Sequence, residues 1–299
     1  MKHSVKEWLA ATRYWALPVS TMPVVAAFCF LFSKGLVPGG WMPWLILLLC
    51  LLGVVLLHSA GNVLSDWADY KYGVDNPDAF AVPNLVFHKF EPREYLWLSI
   101  VLFVLGILVG LVLTFLCGPA LLIAGGIGVL LTLLYSFFKF HALGDLDIFL
   151  IFGLLTVLGT TFCITGTYVW DALVVAVPIG IITVSVLHAN NTRDMESDRA
   201  AGIKTFAMLL GGKASAQLYC GYMGIPFVCI LFSVIFGKLH PLALLCLVAV
   251  IPAWKNAKQA RRYKEEGIQA LQALDFASSQ LQLVFSGSLS IGLFIAGLL

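Results

Sequence analysis

Two polar trios interrupt an otherwise apolar chain. Asn62, Asp66 and Asp69 recur at i, i+4 and i+7 after one long hydrophobic run, and Asn190, Asp194 and Asp198 at i, i+4 and i+8 after another. On a continuing helix each trio shares one face. Asn62 aligns with Asn190 and Asp66 with Asp194, which reads as an internal duplication of a four-helix unit. Gly73, just beyond the first trio, permits a turn that returns Asp75 toward it.

Carboxylates that face one another at the end of an apolar bundle repel unless cations bridge them. Mg²⁺ prefers oxygen ligands, keeps some of its waters, and commonly joins one or two carboxylates to substrate phosphates. Two Asp trios around one cavity therefore suggest a site for Mg²⁺ and a diphosphate. The metal would stabilise the charge that builds on a departing diphosphate. Arg13, Lys139, Arg193 and Lys204 are the basic residues within sequence reach for phosphate oxygens. Tyr135 and Lys139, at i and i+4, share a face in a third segment. A single DxxD at a membrane edge is most often a solvated helix end, whereas two Asn-anchored trios at matched positions point to function. A cation pathway is the alternative use of the same carboxylates. His58 and His188 are expected to serve packing or hydrogen bonding rather than metal ligation. The basic run from Lys255 to Lys264 is expected to face lipid headgroups.

The elements that must carry these residues follow from composition. Of 299 residues, 60% are hydrophobic and only 11% charged, with a mean hydropathy of +0.95. A soluble domain carries about 25% charged residues. This excludes a soluble globular protein, a disordered chain and a nucleic-acid binder with a basic surface. The expected fold is all-α: a single-domain polytopic bundle over residues 1–299, with both Asp motifs on the cytoplasmic side. Nine transmembrane helices are expected near 14–33, 41–64, 95–117, 119–138, 147–166, 168–190, 214–236, 240–254 and 279–298. The eighth is short. Gly125, Gly126 and Gly128 in the fourth suggest close packing on a neighbour. The first apolar run is longer than a leader's core and has no clear cleavage site, so a cleavable leader is not expected. The seven cysteines lie in or beside apolar runs and read as small hydrophobes. With the N-terminus in the cytoplasm, every Lys and Arg except Lys34 and Lys238 falls on the inner side, as does every acid except Asp171.

The chain resembles the UbiA-type family of intramembrane prenyltransferases. The resemblance rests on the nine expected helices, the Asp motifs after the second and sixth, and the Tyr135–Lys139 segment after the fourth. The run Asn190 to Thr205, with Asp69-Tyr-Lys71-Tyr-Gly73-Val-Asp75, is most similar to the 1,4-dihydroxy-2-naphthoate polyprenyltransferases of menaquinone synthesis. Arg13-Tyr-Trp-Ala-Leu-Pro18 resembles the family's first-helix entry. The resemblance implies that Asn62, Asp66, Asp69, Asn190, Asp194 and Asp198 hold Mg²⁺ against a polyprenyl diphosphate. Arg13, Lys139 and Lys204 would bind the diphosphate, and Tyr135 would shield an allylic cation. The acceptor would be an aromatic small molecule. Other acceptors of the family are hydroxybenzoate, haem, a chlorophyll precursor or a glycerol phosphate lipid. The expected setting is membrane lipid, in a bacterial inner membrane, with no obligate protein partner and no nucleic acid.

Overall fold

The computed structural model describes residues 3–74 and 84–299. It is an all-helical bundle in which eight helices are long and apolar enough to cross a membrane. A short surface helix α1 (Val5–Ala11) opens the chain under a reciprocal Ser4–Glu7 cap. Next come α2 (Pro18–Ser33) and α3 (Met42–Lys71), each with proline in the first turn, where no N–H is needed. Helix α4 (Pro92–Cys117) starts the same way and is the span least covered by protein.

The fourth expected helix departs from the sequence reading. Helix α5 (Leu121–Leu133) has only 13 residues, and the chain re-forms as α6 (Tyr135–Phe140) after a break at Leu134. Among the described residues there are therefore eight full-length apolar helices and, at the place of the fourth expected crossing, one shorter apolar helix. Nor do Gly125, Gly126 and Gly128 pack on a neighbour: a Cβ on any of them would meet nothing within 4 Å. They border an apolar chamber instead.

The fifth expected helix is composite. It runs through α7 (Gly144–Ile148), a π-helical stretch (Phe149–Leu155) and α8 (Thr156–Thr165). The π stretch lies against α9 (Leu173–Arg193), the most enclosed span. Gly153 and Gly180 meet there backbone to backbone; a Cβ on Gly180 would lie 2.8 Å from the Gly153 Cα. Only glycine allows that approach, which fixes α9 in depth. Short helices α10 (Met195–Ala200) and α11 (Phe206–Leu210) lead into α12 (Gly212–Ile235).

The eighth expected helix is longer than its apolar core. A single span, Pro241–Leu271, contains a 3₁₀ entry (Pro241–Ala249), α13 (Val250–Arg261), α14 (Tyr263–Glu266) and a 3₁₀ exit (Gly267–Leu271). Its apolar stretch is short because its second half is charged. Helix α15 (Leu274–Ala296) closes the bundle against α2, α9 and the 3₁₀ entry. The main core lies among α2, α9, α12 and α15. A smaller cluster of Ala11, Val63, Leu85, Phe90 and Tyr95 clamps α1 onto α3 and α4 at the end that carries the polar trios.

Candidate active site

Helix α3 continues unbroken through Asn62, Asp66 and Asp69, so the first trio shares a face as its spacing requires. It stops because Gly73 takes a left-handed φ of +71°, and Val74 N–H closes back on the Asp69 carbonyl at 2.8 Å. Asp75 lies outside the described residues. The second trio differs from the expected single face. Helix α9 ends at Arg193, and Asp194 sits at the break before α10. Asp198 therefore projects from a second, short helix, and Gly202 at φ +75° turns the chain away.

These ends surround a cavity of about 420 Å³. Nine of the eleven residues singled out by sequence line it: Arg13, Asp66, Asp69, Tyr135, Lys139, Asn190, Arg193, Asp194 and Asp198. Asn62 and Lys204 do not. Asn62 donates to the Thr12 carbonyl at 3.1 Å and so ties α3 to the turn that carries Arg13. The Lys204 side chain is exposed, while its backbone N–H donates to the Phe140 carbonyl at 3.2 Å. Both residues brace the walls rather than face the lumen.

Each lining cation is matched to an acid. Arg13 hydrogen-bonds Asp66. It is held for this by a left-handed backbone, φ +54°, a conformation L-residues adopt only under constraint. Lys139 Nζ donates to Asp69 Oδ2 at 2.9 Å. Arg193 donates from Nε and Nη2 to both oxygens of Asp194 (2.7 and 2.8 Å), and from Nη1 to Asp275 at 3.3 Å. Burial works against the Lys139 ammonium, but the surrounding acidic groups, Asp69 by charge and hydrogen bond and then Asp198, together outweigh it and hold the lysine above its ordinary value. Burial also pushes the Tyr135 phenol up to about 12, so it is neutral at physiological pH. Asp198 is 2% exposed, and burial pushes it up to about 6.

Five lining acids against three cations leave the cavity negative, which favours a divalent cation. The available ligands are the buried oxygens without a hydrogen-bond partner: Asp69 Oδ1, Asn190 Oδ1 and Asp198 Oδ2. Among the described residues no three acids, histidines or cysteines converge into a ready-made metal cage. This donor set fits Mg²⁺, which takes one or two carboxylates and completes its shell with water and substrate phosphate. It does not fit a tetrahedral nitrogen and sulfur metal.

Sequence reasoning missed Asp275, Asn191 and Ser197, which also line the cavity. Asp275 had a signal: it is the one acid at the start of the last apolar helix, beside no other charge. The histidines behave as expected. His58 bonds Ser20 at 2.9 Å. Buried His188 donates from Nδ1 to Asp145 Oδ2 at 2.6 Å, and its Nε2 lies 2.8 Å from Ser215 Oγ. That second network fixes the end of α9 to α7 and α12.

Toward the membrane interior lies the apolar chamber, about 500 Å³, among α3, α4, α5, the π stretch and α8. It takes in His58 on α3, whereas Ser65 and Asp66 line the polar cavity; about two turns, roughly 10 Å, separate them. Between the two, Gly61 meets Thr132 so closely that a Cβ on Gly61 would lie 2.9 Å from its methyl group.

The fold and its parts recur in known proteins. The chain is 31% identical over 275 residues to UbiA prenyltransferase domain-containing protein 1 of Xenopus tropicalis, covering 87% of this chain and 75% of the relative. That relative is eukaryotic and is not a naphthoate prenyltransferase by name, so it lends no support to a bacterial membrane or to that acceptor. A UbiA homologue from Aeropyrum pernix K1 superposes with a TM-score of 0.68 at 17% identity, over 98% of this chain and 99% of the other. A UbiA homologue from Archaeoglobus fulgidus bound to DMAPP and Mg²⁺ gives 0.63 at 14% identity, over 95% and 99%. The pattern of the UbiA prenyltransferase family runs through residues 24–279, from the first crossing helix to the helix that carries Asp275. With this match, and with eight apolar spans, the chain is an integral membrane protein of the UbiA prenyltransferase family.

Proposed function

We propose that this enzyme transfers a polyprenyl group from its diphosphate to an aromatic acceptor, with Mg²⁺. The observation that carries the reading is one cavity, fed by carboxylates from the ends of α3, α9 and α10, about two helical turns along α3 from an apolar chamber. A polyprenyl diphosphate has that same division into a charged head and a greasy tail. The relative bound to DMAPP and Mg²⁺ supports it as a fold-level analogy.

Bound Mg²⁺ would neutralise the diphosphate and ease its departure. Asp69, Asn190 and Asp198 offer the unspent oxygens for it. Arg13, Lys139 and Arg193 donate to phosphate oxygens by exchanging part of their present carboxylate bonds. The neutral Tyr135 ring borders the position where the allylic carbon would leave the diphosphate, and an aromatic face stabilises positive charge there. The acceptor ring then attacks that carbon and regains its aromaticity by losing a proton, and an acceptor with a ring carboxylate, such as the naphthoate, also gives up CO₂ to yield the prenylated naphthol. Chamber walls such as Leu57, Ile107 and Phe152 bury the tail. The inward concentration of Lys and Arg supports a cytoplasmic cavity mouth.

For the acceptor, 1,4-dihydroxy-2-naphthoate ranks first, on the likeness of residues 190–205 and 69–75 to enzymes that use it. The test is product analysis with purified protein in lipid discs, Mg²⁺, a polyprenyl diphosphate and a panel of acceptors. A prenylated naphthol together with diphosphate is expected. Product with hydroxybenzoate alone would replace the acceptor and keep the chemistry. Neither product nor diphosphate, from any acceptor, would overturn the reading.

A further inference from the structure

A second polar recess, about 300 Å³, lies on the same side of the bundle as the Asp cavity but outside it, between α12, α13 and α14. Its charged lining is wholly basic: Lys213, Arg261 and Lys264. Among the described residues none of the three is in an ion pair, although Arg262 in the same turn pairs with Glu266. Three cations gathered without an acid repel one another, so the arrangement favours an anion between them.

The recess is held in shape. Tyr263 lies so close on the first turn of α12 that a Cβ on Gly212 would fall 1.9 Å from its hydroxyl oxygen. A side chain at 212 would have to push the Tyr263 ring aside, so this contact seats α14 against α12. Deeper in, Cys220 Sγ lies 3.5 Å from the Ala257 carbonyl and joins α12 to α13. Ala216 and Ala260 leave an apolar floor.

The setting distinguishes a lipid from a free ion. The outer faces of α12 and of the Pro241–Leu271 span leave Ile225, Val228, Val248, Ile251 and Trp254 exposed, an apolar surface suited to lipid chains. Lys258 lies 5.3 Å from the Trp254 ring centroid, a pairing suited to the headgroup level. A molecule held here has a cationic pocket for its head and an apolar surface for its chains. We propose that Lys213, Arg261 and Lys264 form a binding site for a phosphate-bearing headgroup of an anionic membrane lipid, separate from the diphosphate site. Basic pockets between membrane helices on the cytoplasmic side are suited to such headgroups.

The test uses delipidated full-length protein in neutral detergent. Phosphatidylglycerol, phosphatidylcholine or inorganic phosphate is added, and bound lipid is counted by native mass spectrometry with the thermal midpoint read in parallel. Phosphatidylglycerol should bind and raise the midpoint, and neither phosphatidylcholine nor millimolar phosphate should do so. The variant Lys213→Gln/Arg261→Gln/Lys264→Gln should weaken phosphatidylglycerol binding by about tenfold or more. It should bind Mg²⁺ and a prenyl diphosphate as the parent does, which establishes that it is folded. Equal lipid binding by a folded variant would overturn the site. If that variant fails to fold, Lys264→Gln alone should weaken binding by about threefold, and no weakening in it overturns the site equally. Inorganic phosphate matching phosphatidylglycerol would overturn the lipid as occupant.

Discussion

Lys139 Nζ lies 2.9 Å from Asp69 Oδ2, joining the end of α3 to α6 across a cavity wall where both side chains are largely buried. The other Asp69 oxygen has no partner. One carboxylate thus carries a cation on one oxygen and leaves the second for a ligand. Removing one member of a buried pair strands the other, at a cost of about 3–5 kcal/mol. Lys139→Met should therefore lower the thermal midpoint and weaken prenyl diphosphate binding together. Lys139→Arg, which keeps the charge, should recover the midpoint better than turnover. An unchanged midpoint in Lys139→Met would remove the pair from the stability of the site.

Asp66 and Asp194 are each held by an arginine, on opposite motifs. If both serve the same departing diphosphate, Asp66→Asn and Asp194→Asn should each cut kcat by roughly 100-fold or more, the loss typical when one stabilising group of a charged transition state is removed. The double variant should be little worse than either alone, because groups acting as one unit are not additive. Steady-state kinetics over a Mg²⁺ series checks this. Full activity in either single variant would contradict a shared role.

Much of the site was legible because its chemistry needs rare residue types. Carboxylates in an apolar chain are conspicuous, and nine of the eleven residues chosen by spacing line one cavity. What was not legible depends on the helix breaks. Period alone carried the second trio through Asp194 as one helix, whereas the chain bends there and sends Asp198 out on α10. Lys204 looked like a phosphate ligand by proximity in sequence, but its side chain is exposed and outside the cavity lining, while its backbone ties the loop to Phe140. The glycines at 125, 126 and 128 carry no sign of whether they face a helix or a cavity; the missing Cβ serves either. Asp275 is 82 residues from Arg193, its partner, and such long-range pairing has no local signature.

Asp198 links the site to pH. Its ordinary value is 3.8, and burial raises it to about 6 in the folded protein. The folded state therefore holds this proton more tightly than the unfolded chain does. Its contribution to stability is full below the ordinary value and is lost as pH rises through about 6. Mg²⁺ requires the carboxylate and competes with the same proton. Mg²⁺ should accordingly bind more weakly below about pH 6, by up to about tenfold per pH unit, and should stabilise the protein most above it. Asp198→Asn should flatten this dependence. Thermal midpoints with and without Mg²⁺ between pH 5 and 8 would measure both effects; an Mg²⁺ effect independent of pH would exclude Asp198 as a ligand.

Gly61 lies between the polar cavity and the apolar chamber, where even one added carbon would come within 2.9 Å of Thr132. On the proposed reading, a tail that starts at the Asp cluster and runs into the chamber passes this point of α3. Gly61→Leu should narrow the passage by displacing α5 or by filling the gap. Each carbon group kept from burial forfeits about 0.8 kcal/mol, so losing even one five-carbon unit from the chamber amounts to well over tenfold in binding. The variant should keep Mg²⁺ binding and turn over a short prenyl diphosphate near the parent rate, while its kcat/KM for long chains falls by about tenfold or more. Gly61→Ala should fall between the two. Competition between short and long diphosphates in one reaction gives the ratio directly. An unchanged ratio would mean that the tail reaches lipid by a route that does not pass between α3 and α5.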